Sequence, residues 1–294
     1  LGGYLSRMPS RRAGYLVYAF IAGGVIIACG GIADYLRQPG RLATVWGEEI
    51  NLTPLLVIYI PCMWGVAVSS ASRLLKTTAG FAGVLLLPLL VWNQSRSAWC
   101  AVAVALLCIT WLRSKRVFFV LLAGLIVAAW LLLVRYGYRY MHVFNPYSWG
   151  NRIDLWKAAV GIFEDFPVFG AGPGMYERLL YVYAPLGSYS EGMNHLHAHS
   201  THLELLAEAG LTGMCAWLFV WARFFGRFAG GRDRSFVSGS ERAAFLAGAA
   251  GAVLASLVLA GASTIIIIGV RDAALFWILF GAACSYPQKR EAML

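Results

Sequence analysis

Apolar residues fill the chain in long blocks separated by short polar breaks. Blocks near 14–33, 54–71, 76–92, 98–112, 117–134, 211–229, 243–262 and 265–286 each approach the about 20 apolar residues that a helix needs to cross a bilayer. The third and fourth are short, and Arg271 and Asp272 interrupt the last. This pattern predicts an all-α, polytopic transmembrane helical bundle of about eight spans. One long stretch, 135–210, breaks the hairpin rhythm and is rich in Tyr, Trp, Gly and Pro. Long loops in compact architectures are usually functional. Within it, 151–164 sets Ile153, Trp156, Val160 and Phe163 at helical spacing, which predicts a helix lying flat on the membrane or capping the bundle. Residues 201–210 are expected to be helical and to run into the sixth span. The chain thus divides into N-terminal transmembrane helices (1–134), a partly helical loop (135–210) and C-terminal transmembrane helices (211–294).

Composition supports this division. The chain is 60% hydrophobic and 13% charged, against roughly 25% charged in soluble domains. A net charge of +10 could suggest nucleic acid, but its distribution excludes the need for such a partner. Arg113, Lys115 and Arg116 fill one short turn, and Arg227, Arg232 and Arg234 another. Excess Lys and Arg mark cytoplasmic loops, so 135–210 falls on the opposite side. The six cysteines lie within or beside apolar spans, with neither metal spacing nor a disulfide framework, and read as small buried apolar groups. The first residues resemble a loop between spans and show no signal-peptide pattern, so further spans upstream are expected.

Candidate chemistry gathers on the face opposite the basic turns. Arg96, in NQSRSAW (93–99), opens a span, where an arginine is costly unless it meets a polar cavity or a partner. The plainer alternative is a snorkelling anchor beside Trp99. Arg152, in GNRIDLW, is either a ligand for an anion or a weak surface partner of Asp154. Arg135, Arg139 and Arg178 suit headgroup contacts. The stretch FGAGPGMY (169–176) has glycines at 170, 172 and 174. Its backbone amides could form a phosphate nest, but it lacks the strand, spacing and lysine of a P-loop. A tight turn requiring unusual backbone angles is the favoured reading.

Four of the five histidines, His195, His197, His199 and His202, crowd into NHLHAHSTH. His199 and His202 share a helical face, with Glu208 in reach. Even so, no Cys assists and no second carboxylate has zinc spacing, so no metal is expected. Thr201 followed by Glu204 reads as a capping box, placing His199 at or just before a helix N-terminus. The macrodipole there disfavours imidazolium, and a neutral imidazole can take a proton from a hydroxyl. One base and two arginines suit the displacement of a pyrophosphate, the guanidinium forks holding the departing anion. No cofactor is required.

These residues resemble the O-antigen ligase and polymerase superfamily. HSTHLELLAEAGLTG matches its pattern of His, then Asn, Ser or Gln, nine residues, Gly, two residues, and Gly, Thr or Tyr, here His199, Ser200, Gly210 and Gly213. SRSAW (95–99), NRIDLW (151–156), FGAGPGMY and HAHSTHLELLAEAG follow in the superfamily's order, most strongly from about 90 to 215. The resemblance implies a GT-C-like glycosyltransferase of the bacterial inner membrane, with its site facing the periplasm. It implies metal-independent, inverting transfer of O-antigen from undecaprenyl diphosphate to a sugar hydroxyl of lipid A–core. Carried over, Arg96 and Arg152 hold the diphosphate and His199 serves as base or orients the hydroxyl. Glu208 matches a family acidic position with a supporting role, and Gly172, Gly174 and His197 are further candidates, with Glu208, for lining the substrate site. Family ligases have about twelve spans, which fits a chain lacking the first ones, and Ser200 stands where Asn is commoner. Three other functions compete. A polymerase of the same superfamily would use a second lipid-linked unit as acceptor. A transporter should show repeated halves, and none is found. A metal transporter would carry Asp, Glu or His inside several spans.

Overall fold

The computed structural model describes residues 10–40, 42, 44–45, 50–141, 146–184, 197–229, 241–260 and 276–280. Apart from one two-residue ladder, the regular structure among them is α-helical. The chain divides into two compact units. The first comprises Leu1–Leu121, Gly230–Leu259 and Ile265–Leu294; the second comprises Leu122–Ala229 and Ala260–Thr264.

In the first unit, α1 (Ser10–Arg37) leads to an antiparallel pairing of β1 (Thr44–Val45) with β2 (Ile50–Asn51), Thr44 opposite Asn51. Then follow α2 (Leu52–Ser69), α3 (Arg73–Asn93) and α4 (Arg96–Arg113). The sequence of α2 is apolar on every side, which suits a helix surrounded by others. It packs against both α3 and α4 and buries Leu52, Leu56, Val57, Ile58, Ile60, Met63 and Val66. Pro61 in its middle supplies no N–H. There the late helix α9 (Glu241–Ala260) comes very close, since a Cβ on Gly248 would lie 2.5 Å from the Cys62 carbonyl oxygen. Glycine at such a crossing lets helix backbones approach, the usual device of packed membrane helices.

The turn from α3 to α4 positions Arg96. Gln94 adopts a left-handed conformation (φ 54) and its N–H donates to Val91 O at 3.2 Å. Ser95 caps α4, its Oγ accepting from Ala98 N–H at 3.4 Å. Trp99 Nε1–H donates back to Leu90 O at 2.6 Å. Asn93 is buried, donating to Leu42 O at 2.9 Å and accepting from Thr53 Oγ1 at 3.1 Å. The polar residues of NQSRSAW thus build the corner, and Arg96 is left exposed as the first residue of α4.

Helix α5 (Lys115–Met141) crosses from one unit into the other. The second unit continues with α6 (Pro146–Asp165), a glycine-rich turn, α7 (Met175–Tyr183) and α8 (Thr201–Ala229). Its core joins Leu155, Ala158, Ala159 and Ile162 of α6, Tyr176 and Leu180 of α7, Ala198, and Ala207 of α8. The apolar stripe expected to lie on the membrane or cap the bundle is exposed at Ile153 and Val160. The small side chains of Ala158 and Ala159 turn inward instead, and Tyr176 reaches α6 to donate its hydroxyl to Leu155 O at 2.9 Å.

Among the described residues, six helices are long and apolar enough to cross a membrane: 17–37, 52–69, 73–93, 96–113, 115–135 and 201–226. They correspond to the first six expected spans. The sixth begins ten residues earlier than its apolar block (201 against 211) because the polar helical stub is continuous with it in sequence. The seventh gives only the shorter apolar stretch Gly248–Val258, and most of the eighth lies outside the described residues. The chain is an all-α polytopic helical bundle.

Candidate functional site

The site is built on the first turns of α8. Ser200, rather than Thr201, caps this helix: its Oγ accepts from Leu203 N–H at 3.5 Å, and its carbonyl accepts from Glu204 N–H at 3.0 Å. The cap therefore lies one residue before the expected Thr201, and Glu204 reaches past it to Ala198. Its carboxylate is buried; Oε2 accepts from Ala198 N–H at 3.1 Å and Oε1 meets His197 Nδ1 at 3.0 Å. Both oxygens clamp the chain that leads to the helix.

Between clamp and cap stands His199, immediately before the helix as expected. Its backbone is left-handed (φ 48), a region that few residues other than Gly, Asn, Asp and His visit. The side chain is exposed to an approaching ligand. Three influences hold its pKa below the ordinary value: partial burial of the ring is the largest, the Arg152 guanidinium next, then His197. The neutral imidazole is thus favoured, by burial and positive neighbours. Arg152, half-buried on α6, is brought into the electrostatic range of His199 from more than forty residues away in sequence. Lys157, not Arg152, pairs with Asp154, at 3.8 Å.

The glycine-rich turn meets α8 at a break. Gly210 has φ 60 and ψ −158 inside the helix. Around it the two segments exchange hydrogen bonds. Leu211 N–H donates to Pro167 O (2.9 Å) and Thr212 N–H to Val168 O (3.1 Å), while Ala171 N–H donates to Ala207 O and Gly172 N–H to Glu208 O, both 2.9 Å. A Cβ on Gly170 would overlap the backbone of Glu208 and Ala209, and one on Gly210 would lie 2.5 Å from Gly170 N. Gly170, Gly172 and Gly174 all have positive φ (71, 108 and 72), the backbone that the tight-turn reading requires. The amides of Gly170, Ala171 and Gly172 are engaged by protein carbonyls. The side chain of Glu208 also acts here, its Oε1 accepting from Tyr176 N–H at 3.1 Å. It caps α7 from outside, since that helix begins at Gly174 with no capping side chain of its own.

His202 lies half-buried in the first turn of α8, edge-on to Trp217 with ring centroids 6.3 Å apart. His195 lies outside the described residues. Among the described residues no group of three His, Cys, Asp or Glu side chains converges as a metal-holding set. Arg135 and Arg178 are exposed. Arg96 belongs to the first unit, and Arg152, His197, His199, Gly172, Gly174 and Glu208 to the second. Sequence reasoning missed Glu204 as a clamp, although its capping-box spacing signalled a backward-reaching carboxylate, and missed Tyr176 as the polar bolt between α6 and α7.

An apolar helical bundle with a guanidinium and a neutral histidine poised at the polar end of one span defines a polytopic membrane protein with a potential acid–base centre. Residues 81–218 match the family described as O-antigen ligase. That region contains Arg96, Arg152 and the described part of the histidine and glycine framework, and over it the chain is similar to the O-antigen ligase family. No curated protein gives a match to the chain.

Proposed function

We propose that the chain carries the catalytic centre of an O-antigen ligase of the bacterial inner membrane, with the site facing the periplasm. The observation that carries this reading is Arg152 acting on His199 at the exposed start of a membrane span, inside the matched region. In the proposed reaction an acceptor hydroxyl of lipid A–core attacks the anomeric carbon of a glycan borne on undecaprenyl diphosphate. The new C–O bond forms as the bond to the diphosphate breaks, with inversion. Neutral His199 orients the hydroxyl and receives its proton. The diphosphate departs with its charge held by Arg152, and the sequence resemblance gives Arg96 the same task; paired N–H donors suit it better than an ammonium.

In this reading the remaining residues work by holding. Glu204 and Ser200 fix the backbone on either side of His199, His197 sets one wall of the site, and Glu208, Gly172 and Gly174 keep α7 and its turn against α8. Reconstituted transfer from an undecaprenyl-linked glycan, with lipid A–core and a second lipid-linked unit offered together, tests the proposal. Glycan is expected on lipid A–core; chain growth on the second lipid-linked unit would make the protein a polymerase. His199→Ala and Arg96→Lys are each expected to lower transfer at least 100-fold, on the order of a lost general base or oxyanion donor. Full ligation by either variant refutes the assigned roles.

A further inference from the structure

We propose that the turn Phe166–Phe169 is a membrane-inserted wedge, a non-helical piece of the second unit seated in lipid beside the upper apolar part of α8. The hydrogen bonds fix its height. Pro167 O and Val168 O accept from Leu211 and Thr212, so the turn lies level with those residues. Along α8 the last carboxylates are Glu204 and Glu208, and from Leu211 onward the helix is apolar as far as Arg223. Leu211, Leu218 and Phe219 point outward, 50%, 56% and 66% exposed. In a membrane span such side chains face hydrocarbon, so the polar–apolar boundary falls near Gly210.

The wedge continues that surface. Phe166, Val168 and Phe169 are 43%, 51% and 76% exposed, a run of large apolar groups that a water-facing turn would not present. The residues just before it, Glu164 and Asp165, are exposed and charged, as befits the headgroup layer. Irregular backbone is not exposed to the hydrocarbon core unless protein covers it, so the turn lays its backbone against α8 and only its side chains enter lipid. Here the carbonyls of Phe166, Pro167 and Val168 all accept, from Gly170, Leu211 and Thr212, and Pro167 has no N–H to satisfy. The occupant is thus the bilayer itself, reached by continuity with the lipid-facing side of α8.

The test does not depend on glycosyl transfer. In a cysteine-free background in nanodiscs, single cysteines replace Asp165, Phe169 or Leu218 and carry a nitroxide. Oxygen is expected to reach the label at 169 in preference to a water-soluble nickel chelate, as at 218, whereas 165 favours the chelate. Nickel access at 169 matching that at 165, or shielding from both reagents, overturns the wedge. Should the cysteine-free protein not fold, a benzophenone amino acid at 169 in the otherwise native chain gives the second measurement. Cross-links to acyl chains are expected; cross-links to protein alone, or none, overturn it.

Discussion

His199 holds a backbone conformation that costs an ordinary residue about 1–2 kcal/mol, and two anchors keep it there: the Glu204 clamp at Ala198 and the Ser200 cap. Strain kept in place by the surroundings is common where a side chain must be aimed. The same neighbourhood sets its protonation. The neutral imidazole is the form that accepts a proton, and it is lost as pH falls through a pKa lowered by burial, Arg152 and His197. The acid limb of a transfer pH profile is therefore expected below about 6.5, the ordinary histidine value. Arg152→Gln removes one of the two positive influences and should move that limb upward, apart from any loss of rate through weaker diphosphate binding. A limb that does not move would separate Arg152 from His199. Sequence revealed the helix start and a base beside it. The cause of the lowered pKa was not legible, because Arg152 approaches from another helix; local reasoning assigned the effect to the macrodipole.

At the scale of elements, the turn after α6 and the break in α8 form one joint. Each glycine in it answers a different demand. Gly170 and Gly210 combine positive φ with backbone contact against the opposite segment. Alanine at either is expected to destabilise by about 2–5 kcal/mol, the sum of left-handed strain and overpacking. At Gly174 no atom lies within 4 Å of a built Cβ, so Gly174→Ala should cost only about 1–2 kcal/mol. Thermal unfolding of the three variants in detergent checks the order; equal losses would mean the joint is not closed. FGAGPGMY announced a tight turn by composition alone. Its partner could not be read, because the helix pattern THLELLAEAGLTG gives no sign that its carbonyls serve a loop some forty residues earlier. The inner face of α6 was not legible for a related reason: periodicity finds the bulkiest stripe, which is exposed at Ile153 and Val160, whereas close packing selected the alanines.

At the scale of the molecule, the apolar blocks translated directly into helices, since each is long enough to cross a bilayer and has polar ends. Caps and crossings were less legible, as they depend on pairs of segments distant in sequence. The basic turn at Ser114 joins α4 to α5 between Arg113, Lys115 and Arg116, and Lys115 lies 2.7 Å from the centroid of the Trp111 ring. Positive charge of this kind holds a turn on the cytoplasmic side. A periplasm-active enzyme reporter fused after Ser114 is expected to be silent, and one fused after Ala184 active. The reverse pattern would put His199 on the wrong side for a periplasmic acceptor.

The interruption at Gly210 also sets off Thr201–Ala209 as a stub, about 14 Å long at helical rise, held at its base by two backbone hydrogen bonds from the glycine-rich turn. The break folds the stub back far enough for His202 to meet Trp217, ring centroids 6.3 Å apart, so the stub leans on the span and braces the loop that carries His199.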